Sequence, residues 1–160
     1  MRRKDREVTG LENILAILDQ CEVMRVGLSV GDQPYIVPMN FAYEVIDGRV
    51  SIYFHCASEG KKLDMIAKNS NVCFEADCSH KILKADSDIA CAWSAEFQSI
   101  MGEGTIAAVT VEPQKIAALD LIMKRYGFQG KPTYKSQRVE ATTILKISVA
   151  SMTGKCKQIG

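Results

Sequence analysis

The chain has 160 residues, with 20 Lys and Arg against 19 Asp and Glu and a net charge of +1. That length suits one domain spanning 1–160, and the near-neutral balance excludes a nucleic-acid or membrane-surface protein held by bulk electrostatics. No apolar run is long enough to cross a bilayer, and the basic start Arg2-Arg3-Lys4 has no apolar segment behind it, so the chain reads as cytoplasmic.

In chain order, Thr9-Gly10-Leu11-Glu12 reads as a capping box, and Leu11, Ile14, Leu15 and Leu18 follow at helical spacing, which predicts a helix over 9–20. Three β-rich runs come next, at 23–30, 34–45 and 49–55, separated by Gly31-Asp32 and Asp47-Gly48. Such turns predict an antiparallel meander. Pro38 lies inside the second run, which predicts an edge, a bulge or a break in the ladder there; a break would free the backbone of Val37, Met39 and Asn40.

The stretch from Ile52 to Lys62 reads as a strand passing through a polar turn into a helix that starts near Glu59 and ends near Asn69. Lys61 and Lys62 fall in the first turn of that helix, where the dipole disfavours cations unless an anion sits among them. They are either solvated surface residues or, with Gly60 and the helix amides, a phosphate site.

A fourth strand is expected over 71–78, an irregular polar stretch over 79–89, and a long strand over 89–109 with Gly102 and Gly104 as bulge or corner positions. Pro113 opens a helix that Gly127 ends, 128–141 is a basic loop carrying Lys131, Lys135 and Arg138, and 142–151 is the last strand. Six strands and three helices without βαβ alternation predict a mainly β protein: an antiparallel barrel with peripheral helices.

Chemical candidates are few. The single strand-to-helix turn at 55–60 has one glycine, which excludes a Rossmann fingerprint, and no Walker motif occurs. Cys73, Cys78, His80 and Cys91 have soft-ligand chemistry, but Cys73 and Cys78 have opposite parity on one strand, so no metal site is expected. The six cysteines read instead as small hydrophobes. His55, at the strand end, is either a hydrogen-bonded structural residue or a polar contact and proton donor beside a ligand. Trp93, in an apolar run, reads as core or interface.

Several blocks then resemble one family. The start Met1-Arg2-Arg3-Lys4-Asp5-Arg6-Glu7 is similar to that of nitroimidazole-resistance (Nim) proteins. The same holds for Pro34-Tyr35-Ile36-Val37-Pro38-Met39-Asn40-Phe41, for the Ile52–Lys62 stretch, for Asn71-Val72-Cys73-Phe74-Glu75 and for Ser99-Ile100-Met101-Gly102-Glu103-Gly104. These belong to the pyridoxamine 5′-phosphate oxidase-related, FMN-binding split-barrel superfamily.

The resemblance implies a six-stranded, Greek-key, antiparallel split barrel that forms a homodimer with FMN at the subunit interface. It implies an FMN-dependent oxidoreductase acting on a small electrophile, with a nitro-aromatic such as a 5-nitroimidazole as the candidate. Carried over, Val37, Pro38, Met39 and Asn40 line the flavin ring and ribityl chain, Phe54, His55, Cys56 and Ala57 flank it, and Lys61 and Lys62 take the phosphate. Ser99 reaches the flavin from a neighbouring strand or subunit, and His55 is the catalytic candidate. The resemblance covers most of 1–125 and is less distinct over 128–160: pyridoxamine phosphate oxidases carry C-terminal Trp and Arg residues, whereas this chain has no Trp after Trp93 and reads Gly154-Lys155-Cys156-Lys157-Gln158 there. Alternatives on the same barrel are a haem-binding or haem-degrading protein using His55 or His80, and a non-catalytic flavin-binding or redox-sensing module.

Overall fold

The computed structural model describes residues 3–86 and 88–157, so Met1 and Arg2 of the family-like start, and Gln158, lie outside the described residues. The chain forms β1 (Glu7–Val8), α1 (Leu11–Gln20), β2 (Met24–Val30), β3 (Gln33–Met39), β4 (Phe41–Ile46), β5 (Arg49–Ala57), α2 (Lys61–Lys68), β6 (Asn71–Leu83), β7 (Ser94–Val109), α3 (Glu112–Arg125), α4 (Ser136–Glu140) and β8 (Thr142–Lys157). It is mainly β, with every strand pairing antiparallel and the helices peripheral.

The sheet has eight strands, not six, in the order β3-β2-β6-β7-β8-β5-β4, with β1 on β8. Two features make the difference. β1 is too short to carry a periodic signal, and the expected strand over 34–45 is divided at Asn40. That division also undoes the meander: β2–β3 and β4–β5 are separate hairpins at opposite ends of the strand order.

Because only Asn40 links the two extreme strands, Met39 and Phe41 lie within about 7 Å of each other. A sheet whose two ends are joined by one residue must curl until its edges meet. It is therefore a barrel, and the seam at Asn40 is its split.

Inside sit Met24, Val26, Leu28, Phe41, Ile52, Phe54, Phe74, Ile100, Ile106, Leu145 and Ile147, all nearly or fully buried, with Ile14, Ile17 and Leu18 of α1 joining them. Burial of this kind contributes roughly 1.5–3 kcal/mol per large side chain. Two glycines are required by close approach. A Cβ on Gly102 would stand 2.3 Å from the Phe74 ring, and one on Gly104 would stand 2.3 Å from the Ser148 carbonyl oxygen. The β7–β8 register shifts between Glu103 and Gly104, the bulge that the two glycines predict.

Other expectations need correction. The capping box does not form: the N-cap is Gly10 at φ 85°, with no side-chain cap bond, while the Asn13 side chain donates to the Thr9 carbonyl at 2.8 Å. β1 holds the chain extended up to the turn, so the helix starts at Leu11, two residues later than expected. β6 continues through a bulge at Ser79–His80 into the stretch read as irregular, and β8 runs on to Lys157. The 128–141 loop contains α4 and is tied to α3 by Tyr134 Oη donating to Asp120 at 2.8 Å and Lys115 Nζ donating to the Val139 carbonyl at 2.7 Å. Trp93 is not core: it lies outside β7 and is 47% exposed.

Candidate functional site

The split gives the barrel two unpaired lips. Among the described residues β3 pairs only with β2. On β5, Phe54 still pairs with Phe41 of β4, but the next three residues, His55, Cys56 and Ala57, pair only with β8. Continuing the β4–β5 register would set Asn40, Met39 and Pro38 opposite them, yet that pairing does not occur among the described residues. Pro38 has no N–H to offer, and only those backbone groups of each lip that do not bond β2 or β8 are left to face the gap.

At one end of the gap stands the start of α2. Its N-cap, Gly60, lies at φ 130° and ψ 163°, and no side chain caps the helix. A Cβ there would meet nothing within 4 Å, so the approach to the first helix amides is open. Lys61 and Lys62 occupy the first two helical positions. The Lys61 ammonium sits 4.4 Å from the centroid of the Tyr35 ring on β3. Lys62 is close enough to Cys56 on β5 to pull its thiol down, although burial outweighs it and pushes that thiol up overall. Asp64 is the acidic residue of the same first turn. An uncapped helix start with two ammonium groups has the donor chemistry of an anion site.

The sequence-predicted residues sort themselves around this gap. Pro38, Met39 and Asn40 lie on one lip and His55, Cys56 and Ala57 on the other, with Lys61 and Lys62 at the end. Val37 and Phe54 point their side chains into the core, 8% and 0% exposed; Val37 lies on β3 by the gap, while Phe54 is paired with Phe41 on one side and Leu145 on the other. His55 and Cys56 alternate: Cys56 packs against the core and His55 is exposed on the opposite face. Ser99 does not join them. It sits on β7 between Asp77 and Lys155, three strands away from β3.

His80 lies at the β6 bulge with Nε2 paired to Asp77, which also accepts from Arg25. Burial opposes ionisation of Asp77, but Arg25 and His80 outweigh it and hold the carboxyl below its usual range. No group of three or more His, Cys, Asp or Glu side chains suited to a metal occurs among the described residues. All six cysteines are free thiols.

Sequence reasoning missed what holds the break. The Phe41 N–H donates to Tyr126 Oη at 3.1 Å, and that hydroxyl donates to the Glu22 carbonyl at 2.6 Å. Arg125 donates to the Leu18 and Cys21 carbonyls at 2.6 and 2.8 Å while lying 4.2 Å from the Phe41 ring centroid. The available signal was a polar aromatic placed just before Gly127, at a helix end.

Two depressions of about 640 and 570 Å³ lie on the outer face of the sheet, reaching β3 at Ile36. They share Gly27, Ile36, Cys73 and Glu103 on the outer face of the sheet. Ile36 and Met101 stand 67% and 63% exposed there. Exposed apolar groups of this size flanking a depression have the character of an interface.

Comparison with known proteins gives concordant findings. The family model described as pyridoxamine 5′-phosphate oxidase matches residues 11–156. A solved structure of a candidate 5-nitroimidazole antibiotic resistance protein from Bacteroides thetaiotaomicron is 30% identical, covers 94% of this chain and 86% of its own, and superposes with a TM-score of 0.80. The fold also matches the flavocytochrome Anf3 from Azotobacter vinelandii (21% identity, 99% and 72% coverage, TM-score 0.78). It likewise matches an FAD- and heme-binding protein from Mycobacterium smegmatis (18% identity, 96% and 74% coverage, TM-score 0.81). No curated protein matches the chain by sequence.

Proposed function

The chain belongs to the pyridoxamine 5′-phosphate oxidase family, and from that premise we propose that it is an FMN-dependent oxidoreductase that reduces a small electrophile, with nitro-aromatic compounds such as 5-nitroimidazoles as the substrate class. The observation that carries the reading is the split itself: two unpaired strand lips that end at an uncapped helix start, with Lys61 and Lys62 in its first turn. The similarity to the Bacteroides protein supports the substrate class.

The donor set fits FMN. A phosphate monoester carries nearly two negative charges at neutral pH, which two ammonium groups and free helix amides can match. The 37–40 backbone and the 54–57 lip offer the ring apolar flanks and unpaired N–H and C=O groups. Bound FMN supplies the redox chemistry; the chain binds it, orients it and excludes water around it. His55, exposed beside the gap, is the group proposed to face the substrate and hold a proton for it. Ser99, three strands from β3 and two from β5, is assigned to the flavin of a second copy, in a homodimer with the flavin at its interface. The free cysteines suit a reducing, cytoplasmic setting. Among the described residues no helix is long and apolar enough to cross a membrane.

Stopped-flow oxidation of the photoreduced protein by a nitroimidazole tests the activity. Rapid, saturable reoxidation that drops in His55→Ala while flavin content holds is the expected result. A reduced flavin indifferent to the acceptor removes the enzymatic reading, and full rates in His55→Ala remove the role of that residue.

A further inference from the structure

The split poses a physical problem. Its lips are in register to pair, since the β4–β5 ladder would continue at Asn40–His55 and Met39–Cys56, and unpaired strand edges tend to close. Something must keep β3 turned away from β5, and the contacts that do so come from the far end of α3.

Three carbonyls near the end of α1 act as anchor points. Arg125 takes those of Leu18 and Cys21, and Glu22 receives both Tyr126 Oη, at 2.6 Å, and Asn40 Nδ2, at 3.4 Å. Tyr126 in turn accepts the Phe41 N–H. The strand is therefore held on both sides of its break: Asn40 by its side chain, and Phe41 by its backbone and by the guanidinium above its fully buried ring. Arg125 is the more buried of the pair, its side chain 14% exposed. Tyr126 is 42% exposed, so its hydroxyl matters more than its packing.

We propose that Arg125 and Tyr126 are positioning residues for the flavin slot, acting through Asn40 and Phe41 to keep the two lips apart at the spacing a ring requires. The proposal rests on the flavin reading above, and it assigns the C-terminal turn of α3 a role that a simple cap for α1 would not have. A cap stabilises the helix and nothing more. A clamp sets the backbone course of 38–41 and therefore the affinity and surroundings of the ring.

Tyr126→Phe separates the two. It removes one hydroxyl, leaving the Phe41 N–H and the Glu22 carbonyl each short of a partner while the ring stays. The clamp predicts faster hydrogen exchange at the Phe41 amide in the flavin-free protein, an FMN dissociation constant raised roughly tenfold, and a shifted visible flavin spectrum. The unpartnered Phe41 amide should also lower the melting temperature by a few degrees, which a cap would do as well, so the FMN constant and the spectrum of the folded protein carry the distinction. Arg125→Lys, which keeps a cation near the Phe41 ring but loses the two-carbonyl fork, should raise the constant in the same direction; it also carries the comparison should Tyr126→Phe not fold. Wild-type binding with an unmoved constant and spectrum in both variants overturns the clamp alone. A wild-type protein that takes up no FMN overturns the flavin reading and, with it, the positioning role.

Discussion

Lys61 and Lys62 are adjacent in sequence yet differ in what they must give up to bind a phosphate, and this makes their single substitutions unequal. A charge-assisted hydrogen bond contributes about 1.5–3 kcal/mol, so Lys62→Ala should weaken FMN roughly ten- to a hundredfold. Lys61 starts 4.4 Å from the Tyr35 ring centroid, a contact of about 0.5–1 kcal/mol at an exposed site. That contact is lost on moving to a phosphate, so Lys61→Ala should cost two- to fivefold less than Lys62→Ala. Both positions sit at a helix start where alanine is well tolerated, so neither variant should unfold. The assay is titration of flavin by fluorescence quenching, run in parallel with riboflavin, which lacks the phosphate. Riboflavin should bind wild type and both variants alike. Equal losses for riboflavin and FMN, or a double variant that keeps FMN, would refute the phosphate assignment.

Two further outcomes follow from the same coordinates. Gly104→Ala places a Cβ 2.3 Å from a backbone oxygen of the adjacent strand that cannot swing aside; overpacking of about 1–3 kcal/mol should lower the melting temperature by several degrees, and an unchanged thermal melt would contradict the close approach. The Cys21 thiol, 2% exposed and pushed up to about 12 by burial and by the neighbouring Cys78, carries about one thiolate in ten thousand at pH 8. Iodoacetamide with peptide mapping should therefore find exposed Cys73 and Cys91 modified first and Cys21 last; early labelling of Cys21 would show that α1 does not cover it.

Much of this fold was legible because its signals are local. Turn dipeptides set the two hairpins, Pro38 marked the break within one or two residues, and Gly102 and Gly104 marked the bulge. What could not be read was distance in the sheet. Residues 34–45 look like one strand because nothing local says that its halves pair at opposite ends of the strand order. Ser99 resembles a site residue by motif, but its separation from β3 depends on topology. Arg125 and Tyr126 were invisible for the same reason, since their partners lie 85 to 107 positions away. Trp93 is not core because apolar neighbours imply burial only where the chain has something to pack against.

The central claim is that the split holds a flavin phosphate-end first against α2. The absorption spectrum of the purified wild-type protein, followed by denaturation and chromatography of what it releases, tests this most directly. The account predicts flavin bands and the release of FMN close to one per chain. A Soret band with no flavin, or a protein that stays colourless after incubation with FMN, would contradict it.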